Sequence, residues 1–207
     1  MMADVTRSAR ASGWPQRRIP RWTYLAAVGL LVVAVAVGLV HKPSQGERAS
    51  DLRGFLQVVT SDIESCAAGV GESLQALHLV QSGADASAAD VSDGISVAQQ
   101  GAANCAPANN EQIDDLESYQ VSESLYSYQL AGVVTGLVNW AAPDAVRVQT
   151  DVANLLSAPS APARSQARAA LTAALAALDK QRARVDSVLD AAIRSLAVHE
   201  SGPRLPG

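Results

Sequence analysis

The chain has 207 residues with 20 acids against 16 lysines and arginines, a net charge of −4, a balance that argues against a nucleic-acid partner. Only 4% of its residues are aromatic, too few for the core of a β-sandwich or a large aromatic-lined enzyme cleft. Two cysteines and three scattered histidines offer neither a zinc pattern nor a C-x-x-C redox motif.

Residues 1–21 form a basic tail in which Arg7, Arg10, Arg17, Arg18 and Arg21 stand against one acid, Asp4. Trp22 to Val40 follow as nineteen residues without a charge, close to the ~20 that cross a hydrocarbon core. Positive charge ahead of the span predicts a cytoplasmic N-terminus and export of everything after it. Trp22 and Tyr24 fall at the inner interface, His41 and Lys42 at the outer one. Ala34-Val35-Ala36 offers a small-x-small cleavage pattern that would release a secreted form. The apolar run nevertheless continues to Val40, where a mature N-terminus would turn polar, so 22–40 is expected to remain as a single-pass signal-anchor. Abundant alanine, with arginine far above lysine, fits a GC-rich bacterial genome.

A short linker, 41–46, leads to a helical domain expected over 47–199, and 200–207 is expected to be a disordered tail. In the first leg, Leu52, Leu56, Val59, Ile63, Cys66, Val70 and Leu77 follow heptad-type spacing, the signature of an inward helical seam. "SGADAS" (82–87) ends it, with Gly83 suited to the C-terminal cap and Ser87 to the next N-cap. Val91, Ile95, Ala98, Ala102 and Cys105 continue the stripe, then Tyr126, Leu130, Val133, Leu137 and Trp140, then Val148, Val152, Leu155 and Leu156. "SAPSAPAR" makes a last turn, and Leu171 to Leu196 carry a final helix to about His199. The fold class is therefore all-α: one transmembrane helix, then an antiparallel up-down-up-down four-helix bundle. Its legs are 47–82, 88–121, 123–157 and 162–199, kinked or broken at Pro107 and Pro143, because proline lacks the amide donor a helix needs.

Cys66 and Cys105 lie at equal distances from the proposed turn, both on the inward stripe. An antiparallel hairpin places such residues at one height, so a disulfide is expected, and an exported domain meets the oxidising conditions in which it persists.

Charge is unevenly distributed. From Gly54 through Val146 there is no lysine or arginine but there are twelve acids, whereas Arg147 and seven further bases follow among five acids. Two readings compete: the basic last leg neutralises its acidic neighbours, or the acidic face meets a cationic partner. The densest cluster, "NNEQIDDLE", puts Glu111, Asp114, Asp115 and Glu117 on the candidate contact surface. It lacks an alternating calcium-loop pattern, and acids at a helix start answer the helix dipole. At mid-bundle height, Trp140 and Arg182 are the candidate walls of a pocket.

No motif for hydrolysis, phosphate binding, metal or cofactor is present, and neither an enzyme nor a cofactor or metal site is expected. The architecture resembles the sensor portions of bacterial chemoreceptors and histidine kinases, but no motif of those families accompanies it. The expectation is a protein of the cell membrane, its C-terminal domain outside the cytoplasm, acting by contact with another envelope protein as an accessory or scaffold. The alternative is binding of a small apolar or amphipathic ligand in the mid-bundle pocket.

Overall fold

The structure is a computed structural model that describes residues 42–83 and 86–206. The basic tail, the expected anchor over 22–40, His41 and Asp85 lie outside the described residues. Among the described residues there is no strand, and no helix is long and apolar enough to cross a membrane. They form a helical bundle.

Helix α1, Gln45–Ser82, opens on a reciprocal cap: the Ser44 hydroxyl accepts from the Glu47 amide, and the Glu47 carboxylate accepts from the Ser44 amide. Two donors that a helix start leaves orphaned are thereby satisfied. All seven expected seam residues are buried. Gly83 closes the helix by donating its N–H to the Leu79 carbonyl at 3.0 Å. Ser87 and Asp90 then repeat the reciprocal cap to open α2, Ala88–Cys105.

The two helices run antiparallel, with Cys66 beside Cys105, Gly69 against Gly101, and Ala76 and Val80 beside Gly94. The inward stripe of α2 differs from the expected one. Of Val91, Ile95, Ala98, Ala102 and Cys105, only Ala98 and Cys105 are buried; Gly94 and Gly101 complete the buried face. A Cβ on Gly69 would stand 2.9 Å from the Gly101 Cα, so the backbones almost touch and leave no room for larger side chains. Glycine permits this approach, and a search for large apolar residues misses it.

The middle legs are segmented. Ala106 is extended (φ −88°, ψ 124°), as a residue before proline prefers, and this ends α2. A 3-10 turn at Pro107–Asn109 leads to α3, Glu111–Ser118, and a second 3-10 stretch, Glu123–Tyr128, leads to α4, Leu130–Asn139. A wide π-type turn, Trp140–Ala145, joins α4 to α5, Val146–Leu156. Ala142 leaves the helical region there (φ −133°, ψ 111°) under the same constraint from Pro143. Tyr126, expected to face inward, is 65% exposed, because it belongs to a 3-10 turn and not to a continuous α-helix.

Ser160 caps α6, Ala161–Leu196, with Pro162 in the first turn, where a missing N–H costs nothing. Leu171, Leu178, Val185, Leu189 and Leu196 bury its inner face against α4 and α5. After α6 the chain departs from expectation. Residues 200–206 are packed, not disordered: Pro203 and Leu205 are buried, and Arg182 Nη1 donates to the Leu205 carbonyl at 3.4 Å. Leucine and proline give this stretch apolar area to hide, which outweighs its short length.

Candidate contact surface

The acidic cluster sits on a small, firmly held helix. α3 has only eight residues, and its two large apolar side chains, Ile113 and Leu116, are fully buried. Each contributes about 1.5–3 kcal/mol by leaving water. Spaced three apart, they turn the intervening and flanking residues outward, so Glu111, Asp114, Asp115 and Glu117 are all exposed.

Both ends of α3 are pinned to α1. At its start, Asn110 accepts from the Gln112 amide at 3.1 Å and donates to Ser65 Oγ at 3.0 Å and the Asn104 carbonyl at 2.5 Å. Beyond its end, the Tyr119 ring packs on Phe55 with centroids 5.8 Å apart. Ser122 then donates to Asp51 at 3.1 Å, and Ser124 donates to the same carboxylate oxygen. The acids therefore ride on a rigid platform and not on a floppy loop.

The local field is negative and unrelieved. Burial, and then the charge of Asp115, holds the Asp62 carboxyl of α1 above the ordinary aspartate range. Burial, then Asp51 and Asp62, raises the Tyr119 phenol as well. The expectation that the basic last leg neutralises this face is not met. Among the described residues the ion pairs are Arg53–Glu200, Arg182–Asp179 and Arg194–Asp190. Two of these lie within α6, and none reaches an acid between Gly54 and Val146. The reason is geometric: α6 packs on α4 and α5, whereas α3 packs on α1 and α4. Nor do the acids gather round a metal, since no group of three or more ligating side chains suited to one occurs among the described residues.

Titration should register in stability. Asp144 and Asp186 are raised like Asp62, mainly by burial. A carboxyl raised in the folded chain binds its proton more tightly folded than unfolded. Its stabilising contribution is complete below the unfolded pKa and is lost as pH rises through the folded one. Asp90, lowered by the hydroxyl and amide of Ser87, acts oppositely, its contribution vanishing as pH falls through its folded pKa. The urea midpoint should therefore rise as pH falls through the range just above the ordinary aspartate value, where the raised carboxyls take up their protons, and fall again at lower pH as Asp90 is protonated. Replacing Asp62, Asp144 and Asp186 together by asparagine should flatten the rise; a rise that survives would mean other groups cause it.

The structure separates the other candidates. Cys66 and Cys105 are disulfide-bonded, 1.98 Å between sulfurs and 4.6 Å between Cα atoms, with both side chains fully buried. Trp140 and Arg182 do not form the expected pocket. Trp140 is completely enclosed and fills core volume, while Arg182 pairs with Asp179 at 2.9 Å and reaches the Leu205 carbonyl. Neither lines the surface pockets beside Thr60 and Glu64, beside Val80 and Gly94, or beside Gly136 and Gln181. His78 and His199 are exposed. Three residues escaped the sequence reading. Asn110 could have been found as an N-cap residue ahead of a short acidic helix. Asp62 and fully buried Gln149 carried no local signal, since only packing brings Asp62 near Asp115 and presses Gln149 against the glycine crossing.

No family model, curated protein or solved structure matches the chain.

Proposed function

We propose that this chain is a membrane-anchored, extracytoplasmic helical bundle that works by holding a cationic protein partner on the acidic face of α3. The uncharged run 22–40 behind five arginines supports the anchor and its orientation. The buried Cys66–Cys105 bridge supports an oxidising compartment. In this reading the bundle rises and falls four times over 47–199, its middle legs segmented at the prolines, and α3 is the raised contact platform.

One observation carries the partner's charge. Exposed acids, rigidly mounted, receive no ion pair from the fold's own basic helix among the described residues, and one of them, Asp115, adds to burial in raising the Asp62 carboxyl. A cationic surface docked there would relieve that repulsion, and the field would steer its approach in a salt-dependent way.

The domain carrying Asp114→Lys, Asp115→Lys and Glu117→Lys, immobilised and exposed to envelope extracts at low ionic strength, should capture its partner at least tenfold less than the parent, about 1.4 kcal/mol. The control, Asp179→Lys with Asp190→Lys on α6, should leave capture unchanged. Undiminished capture by the α3 variant overturns the reading.

A further inference from the structure

Near the end of their hairpin, α1 and α2 leave a groove of about 610 Å³ between them. It is lined by Leu79, Val80, Gly94 and Val97, together with Asp90 and Asp93. Leu79 is 61% exposed, so the groove carries an apolar side chain that the fold leaves uncovered. Ser87 holds the Asp90 carboxyl below the ordinary aspartate range and keeps it charged. Asp93 is exposed and, among the described residues, forms no ion pair.

Bases stand at the same end of the bundle, on another side. Leu156 ends α5 against Gly94, where an added Cβ would lie 3.0 Å from its Cδ1. α6 begins soon after, at Ala161, so its first turns lie level with the groove. Arg164 and Arg168, four apart and therefore neighbours along the helix, are exposed, and neither forms an ion pair among the described residues. The small residues beside them, Ala161, Ser165 and Thr172, are exposed as well and let another surface come close. α2 and α6 both pack on α1 and α5, so they stand diagonally across the bundle. Within one chain these acids and bases do not meet.

Between two chains they can. Copies standing side by side in one orientation bring the α6 edge of one level with the groove of the next. Exposed ion pairs alone contribute little, and covering Leu79 adds the apolar part of the contact.

We infer that the groove at the end of the α1–α2 hairpin is a docking site for a second copy of this chain, which lays the first turns of its α6 there with Arg164 and Arg168 facing Asp90 and Asp93. The contact is head-to-tail: each chain offers its groove to one neighbour and its α6 to another, which builds a ring or a row. The inference goes beyond the α3 reading because it uses a different face.

The test is sedimentation equilibrium of the full chain in a non-ionic detergent at low ionic strength. The parent should associate as its concentration rises. Asp93→Arg, and separately Arg164→Glu with Arg168→Glu, should each weaken self-association about tenfold or more, since each removes the opposition of charge. Mixing these two variants should restore association: the intact groove of the second meets the intact α6 of the first, and the two reversed faces meet each other. A folding defect would not be repaired by mixing. Leu79→Gln, which leaves every charge in place, should weaken association about fivefold. A parent that stays monomeric, association that these variants leave unchanged, or a mixture that remains dissociated each overturns the inference. The chain with Asp114→Lys, Asp115→Lys and Glu117→Lys should associate as the parent does, so failure of the α3 reading and failure of this one are told apart.

Discussion

Replacing Cys66 and Cys105 together by alanine should destabilise the folded chain by about 4 kcal/mol on the chain-entropy model for a loop of this length. The bridge spans 39 positions in sequence, so the unfolded chain without it gains the freedom of a long open loop. Alanine is the right replacement because both sulfurs are fully buried, and a serine hydroxyl there would add an unsatisfied polar group. Part of the loss arises in the folded state, where two sulfurs leave the centre of the α1–α2 contact. The urea midpoint should fall, and the m-value should rise as the unfolded ensemble expands. A loss below about 1 kcal/mol would show that the hairpin is held by its helix packing alone.

That bridge was legible in the sequence because it required only symmetry about a turn and an inward stripe. The same holds for the α1 seam, the caps at Ser87 and Pro162, and the breaks at Pro107 and Pro143, which are local rules written in local residues. Where the reading failed, the deciding contact was distant in sequence. Val91 and Ile95 looked like core because they are large, but α2 meets α1 through Gly94 and Gly101. Trp140 and Arg182 looked adjacent because their heights in an ideal bundle agree; the indole is buried in the π-type turn, and Arg182 turns to Asp179 on its own helix and to Leu205 in the segment after α6. The segment after α6 looked free because it has no periodicity, although Leu205 needs none to bury itself.

The candidate contact surface was half legible. Its four acids could be named from composition alone. What could not be read was the absence of neutralisation, because that depends on which helix α6 packs against. Once α6 is placed on α4 and α5, the charge segregation visible in the sequence becomes segregation in space. An intramolecular remedy would have cancelled that field; among the described residues no ion pair does so, and the acidic run keeps its charge facing solvent.

Gly69 and Gly71 of α1, two residues apart, should behave oppositely when substituted. Gly69→Val should cost about 3 kcal/mol, the upper range for overpacking. A Cβ there meets the Gly101 Cα at 2.9 Å, and backbone, unlike a side-chain tip, cannot step aside. Nor can the helices simply part, since the Cys66–Cys105 bridge holds their Cα atoms 4.6 Å apart one turn away. Gly69→Ala should cost less, because alanine returns about 1 kcal/mol of helix propensity. Gly71 is exposed, and a Cβ there meets nothing within 4 Å, so Gly71→Ala should stabilise by up to ~1 kcal/mol. The bridge and the crossing should also be coupled. In the chain lacking both cysteines, the helices are free to separate by a few tenths of an ångström, and the cost of Gly69→Val should fall by at least ~0.5 kcal/mol relative to the bridged chain, a non-additivity expected only of sites in contact. Equal costs in the two backgrounds would mean that the disulfide does not clamp the crossing.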